Sequence, residues 1–306
     1  MARTNFQIKV GTYTGDGVDN TNITGVGFRP DLVIIKGGAN VACWRTKDIR
    51  DDFTMFFAGN TANFSDGIQK LTSNGFQIGT DAKVNADGTT YYYIAIRGTA
   101  GQRYFYTGLY KGNGSDGRNF TTGGIDFTPD LVWIKGDTNQ NPSTRTTEVS
   151  GDNSWHFAGV ADAADEIQNL QSNGFQLGTS ARVNTNGMSY FFTAFKKLAG
   201  VIATGTYTGN GGDSREITGI GFQPDVVIVK DGTTTAAAII RTSDFSGDSS
   251  ASLGAAAPTT NQIQALSSDG FQVGTDAKVN ASAGDTYWWV AFKTGDHNVP
   301  LTRTAA

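Results

Sequence analysis

Acid–base, nucleophilic and metal chemistry need particular side chains brought together, and this sequence offers few of them. Its two histidines, His156 and His297, stand in unrelated contexts, which reads as packing or surface residues rather than a repeated general base. Glu148, Glu166 and Glu216 are its only glutamates, so a matched pair of carboxylates of the glycosidase kind is missing. The single thiol, Cys43, can form neither an intrachain disulfide nor a Cys-ligated zinc site. Asp16, Asp19, Asp116 and Asp213 lie in Gly/Asn loops that could offer oxygens to Ca²⁺, yet D-x-D-x-D-G spacing is not there. No catalytic residue, metal ligand or cofactor is expected.

Three arginines, Arg45, Arg145 and Arg241, are each followed by Thr and precede variable segments. They are either cationic anchors for a partner's carboxylates or a glycan, or arginines satisfied by local carboxylates and carbonyls at a sheet edge. Asp31, Asp130 and Asp225 recur as Phe-x-Pro-Asp, where Pro sets a turn and Asp bonds the neighbouring backbone before a strand. Gly-x-Tyr-x-Gly-x-Gly stretches carry no following Lys-Ser/Thr, so they read as hairpin turns rather than phosphate loops.

The elements that position these residues come in three copies. Gly11–Gly17 recurs at 108–114 and 205–211, a step of 97 residues each time (108 − 11 and 205 − 108). Phe28, Pro30 and Asp31, with Leu32–Lys36, recur as Phe127, Pro129 and Asp130, then as Phe222, Pro224 and Asp225. Ser-x-Gly-Phe-Gln-x-Gly-Thr carries Phe76, Phe175 and Phe271, and Val-Asn follows in each copy. Such a period exceeds a solenoid unit and suits a small β domain. The reading is three domains, 1–100, 101–200 and 201–295, with a polar tail at 296–306. The joints Gly98–Gly101 and Leu198–Gly200 are too short to let the domains swing freely.

Apolar β-branched runs entered by Pro-Asp, such as Leu32–Ile35, predict central strands covered on both faces. In Tyr91–Ile96, Tyr92, Ile94 and Ile96 share one face and Tyr91, Tyr93 and Ala95 the other. Both faces are apolar, so both need cover. Ile and Leu three apart in 65–71, 163–170 and 260–266 predict one short helix per copy, stopped by Asn-Gly or Asp-Gly. The fold class is all-β: three tandem β-sandwiches of roughly seven or eight strands, each with one short helix, set around an approximate threefold axis.

A composition of 40 Gly, 11% aromatic and 17% charged residues fits strands and turns and excludes collagen and disorder. The net charge of −4 gives no basic footprint for nucleic acid. No apolar stretch approaches the roughly 20 residues of a membrane span, and no signal-peptide core opens the chain. A soluble protein without membrane insertion is expected.

Taken together, Gly-x-Tyr-x-Gly-x-Gly, Phe-x-Pro-Asp-Leu-Val-x-Ile-Lys, Ser-x-Gly-Phe-Gln-x-Gly-Thr and Val-Asn resemble a phage-associated repeat domain found in tail-fibre-like and other virion proteins. The resemblance covers all three copies and carries no catalytic residue to transfer. It implies a structural or adhesive protein of a bacteriophage surface, either head decoration or tail component, assembled in the host cytoplasm. Its partners would be other virion proteins and a host-surface glycan. The alternative reading is a free-standing lectin-like carbohydrate-binding protein.

Overall fold

The computed structural model describes residues 3–98, 104–121, 124–282 and 284–300. In the first repeat the strands are β1 (Arg3–Thr14), β2 (Thr21–Ile23), β3 (Leu32–Gly37), β4 (Cys43–Thr46), β5 (Met55–Phe56), β6 (Ile68–Thr72), β7 (Gly75–Ile78) and β8 (Thr90–Arg97). They form two antiparallel sheets, a larger one in the order β1-β8-β3-β4-β5 and a smaller one in the order β2-β7-β6. The second and third repeats rebuild both sheets, with central strands Leu131–Gly136 and Val226–Asp231 in place of β3. Each repeat is thus a sandwich.

Alternation along β3 explains why every residue of it is buried. Val33 and Ile35 face the repeat's own small sheet and meet Phe28, Phe76, Ile78, Tyr91 and Tyr93 there. Leu32 and Ile34 face the opposite way, into a core that also contains Leu131 and Trp133 of the second repeat and Val226 and Ile228 of the third. One central core therefore unites all three repeats. Each larger sheet is covered by its own small sheet on one face and by the other repeats on the other. Around this core Phe6 meets Phe105, Phe105 meets Phe195, and Phe195 meets Phe292, with centroids 6.0, 4.9 and 5.3 Å apart.

The seams follow a cyclic pattern. Ala42 donates its N–H to Leu253 O of the third repeat at 2.9 Å, and Ala238 donates to Phe157 O of the second at the same distance. The position equivalent to Ala42 and Ala238 in the second repeat is Pro142, which has no N–H to give. There the rings of Phe57 and Phe157 stack, centroids 4.4 Å apart. The ring is closed by Gly295–Pro300, which pairs antiparallel with Arg3–Ile8 of β1.

Three expectations are corrected. Residues 65–71, 163–170 and 260–266 are not helical: Ile68–Thr72, Ile167–Gln171 and Ile263–Ser267 are edge strands of the small sheets. Irregular register near Ile68, Ile167 and Ile263 lets Ile and Leu three apart both point inward, which imitates a helical face. The helices are α1 (Ala82–Asn85) and α2 (Ala277–Asn280), each capped by an Asp, Asp81 and Asp276. The second repeat has only a single turn there, in which Asn184 N–H bonds Ser180 O at 2.9 Å.

The Gly-x-Tyr-x-Gly-x-Gly stretch is not a hairpin. Its first half ends β1 in the larger sheet and its second half crosses to β2 in the smaller one, as a corner between sheets. Gly15 is needed because a Cβ there would lie 2.2 Å from Ala86 O. The tail expected at 296–306 begins instead as the closing strand Gly295–Pro300; 301–306 lie outside the described residues, as do 99–101 of the first joint. Contacts from the end of the central strand and from the loop after it cross the seams: Lys36 Nζ reaches Ala256 O at 2.9 Å and Asn139 Oδ1 accepts Ala62 N–H at 2.9 Å.

Candidate functional site

The three arginines are buried, with their guanidinium donors directed at the carbonyls of their own loops. Arg45 Nη2 bonds Ile49 O and Asp51 O at 2.9 and 2.5 Å, and Nη1 bonds Phe53 O. Arg145 serves Val149 O, Gly151 O and Asn153 O, and Arg241 serves Phe245 O, Gly247 O and Ser249 O. Burial pulls all three guanidinium pKa values down, Arg45 to about 10, with nearby aspartates opposing that fall. A side chain held this way shapes a loop. It is not presented to a partner.

The three Phe-x-Pro-Asp carboxylates act at long range and not, as expected, on the neighbouring backbone. Asp31 Oδ2 accepts Gly98 N–H at 2.8 Å, Asp130 Oδ2 accepts Lys197 N–H at 2.7 Å, and Asp225 Oδ2 accepts Thr294 N–H at 2.8 Å. Each ties the start of a central strand to the exit of its repeat's last strand. Pro30, Pro129 and Pro224 are buried beside them, and Phe76, Phe175 and Phe271 are fully buried. Phe28 and Phe127 are buried too, but Phe222 is only half-buried against its core.

The roles missed in the sequence belong to residues quoted there only as motif letters. Asn85, Asn184 and Asn280 are fully buried, and each side chain bonds the Gly-rich corner from both ends. Asn85 Nδ2 donates to Gly79 O and Val18 O at 2.9 and 2.8 Å, and its Oδ1 accepts Asp16 N–H at 2.9 Å. Backbone and side-chain donors on Asp16, led by Val18 N–H, hold its carboxyl below the usual carboxylate range. Tyr13 and Tyr91 stack beneath this corner at 5.1 Å, with equivalent pairs Tyr110–Tyr190 and Tyr207–Tyr287. Lys36, Lys135 and Lys230, which close the central strands, are buried on loop carbonyls; burial lowers the first two to about 8.

Among the described residues, the second repeat alone holds a buried ionic cluster. His156 Nε2 and Glu166 Oε2 are 2.9 Å apart and both side chains are fully buried, while Arg182 Nη1 donates to Glu166 Oε1 at 2.6 Å. Asp162 lies nearby at the seam with the third repeat, its carboxyl raised to about 6 chiefly by burial, with the Lys230 charge opposing. A raised carboxyl favours the protonated folded form, so folding is penalised above pH 6 and relieved as pH falls toward the ordinary value of 3.8. Asp162→Asn should therefore raise stability at pH 7 by about 1 kcal/mol, after discounting for its partial exposure. The gain should vanish near pH 4 in urea unfolding curves; an equal gain at both pH values would refute the assignment.

No group of three or more His, Cys, Asp or Glu suited to a metal occurs among the described residues. What the arrangement does offer is three unequal seams. At two of them an aromatic ring on the last strand stacks across the joint, Tyr92 on Phe245 at 3.8 Å and Trp288 on Trp155 at 6.2 Å. At the third, between the first and second repeats, the equivalent Phe191 faces the smaller Ile49, and a cleft of about 300 Å³ remains.

A model for a domain of unknown function, DUF7483, matches residues 4–99, 100–205 and 197–303. The chain belongs to the DUF7483 family. Its three DUF7483 matches cover the three sandwiches, the second and third overlapping at 197–205, and the third extends through the whole closing strand. No curated protein matches the chain. The letters repeated within this chain thus describe a scaffold: the Asp tie, the buried Asn and the loop arginine recur in every copy and bond its own backbone.

Proposed function

We propose that this triple DUF7483 protein is a non-enzymatic structural or adhesive component of a bacteriophage particle surface, acting through contacts with other virion proteins and with the host surface. The observation that carries the reading is the closed ring. Three repeats share one core, and their repeated polar side chains are engaged in holding loops and corners. Chemistry on substrates would leave repeated acids and bases pointing into a cleft, whereas a rigid block with three unequal outer faces suits a place where several different neighbours meet. The phage assignment itself rests on the sequence resemblance.

The test is association with particles. Antibody against the purified protein should label particles of the producing phage, and the protein should band with them at fixed stoichiometry in a density gradient. Recovery only in the free fraction, together with binding to a glycan array, would replace this reading with the free-standing lectin.

A further inference from the structure

The open seam differs from the other two in a way that packing does not require. Six side chains line it that depart together from their counterparts in the other two repeats. Arg50 stands where those repeats have Ser150 and Ser246, Asp51 where they have Gly151 and Gly247, and Phe53 where they have Asn153 and Ser249. From the second repeat, Leu109 replaces Thr12 and Thr206, Lys111 replaces Thr14 and Thr208, and Asp137 replaces Gly38 and Gly232. Small or polar residues suffice at these places in two repeats of the same fold. Here they have become two cations, two carboxylates and two apolar groups, all on one cleft.

Two further observations set the cleft apart from a packing defect. Leu109 is 42% exposed, one of only two large exposed hydrophobic residues among those described. Asp51 sits at φ 53°, a left-handed conformation that the other repeats give to glycine, Gly151 at 64° and Gly247 at 57°. The strained loop is held in place by Arg45, whose guanidinium bonds the carbonyls of Ile49, Asp51 and Phe53. The side chains of Arg50, Asp51 and Asp137 make no hydrogen bond or ion pair among the described residues, unlike the loop arginines. Ile49 and Phe191 form a buried floor, and the volume of about 300 Å³ lies at the lower end of small-ligand sites.

We propose that this cleft is a saccharide site that takes an acidic sugar residue. A sugar acid presents an apolar C–H face to Phe53 and Leu109, hydroxyl pairs to Asp51 and Asp137, and a carboxylate to Arg50 and Lys111. The inference rests on the adhesive half of the proposed function and supplies its ligand class. It also gives Arg45 a positioning role in place of direct contact with the ligand.

Titration of the ¹⁵N-labelled full chain with glucuronic acid, and with glucose as the neutral control, tests it. Glucuronic acid should shift the amides of Phe53, Leu109 and Lys111 with millimolar affinity, and glucose should bind at least tenfold more weakly. Phe53→Asn with Leu109→Thr installs residues that the other repeats already carry, so the fold is kept; it should abolish the shifts. Arg50→Ser should remove the preference for the acid. No shift at these amides, shifts that survive the double variant, or equal binding of glucose would overturn the site. Association of the double variant with particles distinguishes the two proposals: it should be unchanged, whereas failure of the wild-type chain to associate would overturn the virion reading alone.

Discussion

Alanine at Phe76, Phe175 or Phe271 should destabilise the protein by about 3–5 kcal/mol, the range for removing a fully buried phenylalanine ring. Each of these rings is completely enclosed between the two sheets of its repeat. Phe76 meets Tyr93 edge-on at 5.3 Å and Phe175 meets Phe192 at 5.2 Å, so truncation leaves a cavity that rigid neighbours cannot fill. The shared core adds a second expectation. Because the larger sheet of every repeat is also a wall of the common core, loss of one repeat uncovers apolar surface in the other two. A substitution in any one repeat should therefore lower the urea midpoint of a single transition rather than split off one third of the signal. Three resolved transitions, or a midpoint unmoved by Phe76→Ala, would contradict this.

The second large effect is expected at Glu166. Its carboxylate is fully buried and holds His156 and Arg182, so Glu166→Ala leaves a buried imidazole without its partner and should cost about 3–5 kcal/mol. Burial by itself would raise the Glu166 pKa, but the hydrogen bond and charge of His156, with help from Arg182, bring it below the ordinary 4.5. The sign follows from that depression. The contribution is fully present above pH 4.5 and is lost as pH falls through the lower folded value, so the gap between wild type and Glu166→Ala should narrow on acidification. Glu166→Gln should lose less, since the third repeat places Gln262 at the equivalent position, also fully buried. A gap that widens in acid would refute the buried-carboxylate account.

Much of the fold was legible because each motif letter has a local cause. Pro-Asp before an apolar β-branched run marks a strand entry, and apolar character on both faces of Tyr91–Ile96 requires two covers. Both covers exist, one from the repeat itself and one from its neighbours. Short joints between copies about 97 residues apart left little room for anything but close packing. The spacing at 65–71 reads as a helix because a register irregularity in an edge strand mimics helical spacing, and a single sequence cannot tell a bulge from a turn.

By itself, then, the sequence determined three all-β units of one pattern and the buried rings at Phe76, Phe175 and Phe271 that each repeats. Only the tertiary structure decided what those units do to one another. Whether Arg45 meets a partner or its own carbonyls depends on where the chain at 49–53 returns, which local spacing does not encode. That Asp31 reaches Gly98, 67 residues on, depends on two strands lying side by side. The cleft between the first and second repeats exists because Phe191 there meets Ile49 where Tyr92 meets Phe245 at another seam. The size of a gap is set by pairs of residues from different repeats, and such pairs are made by packing alone.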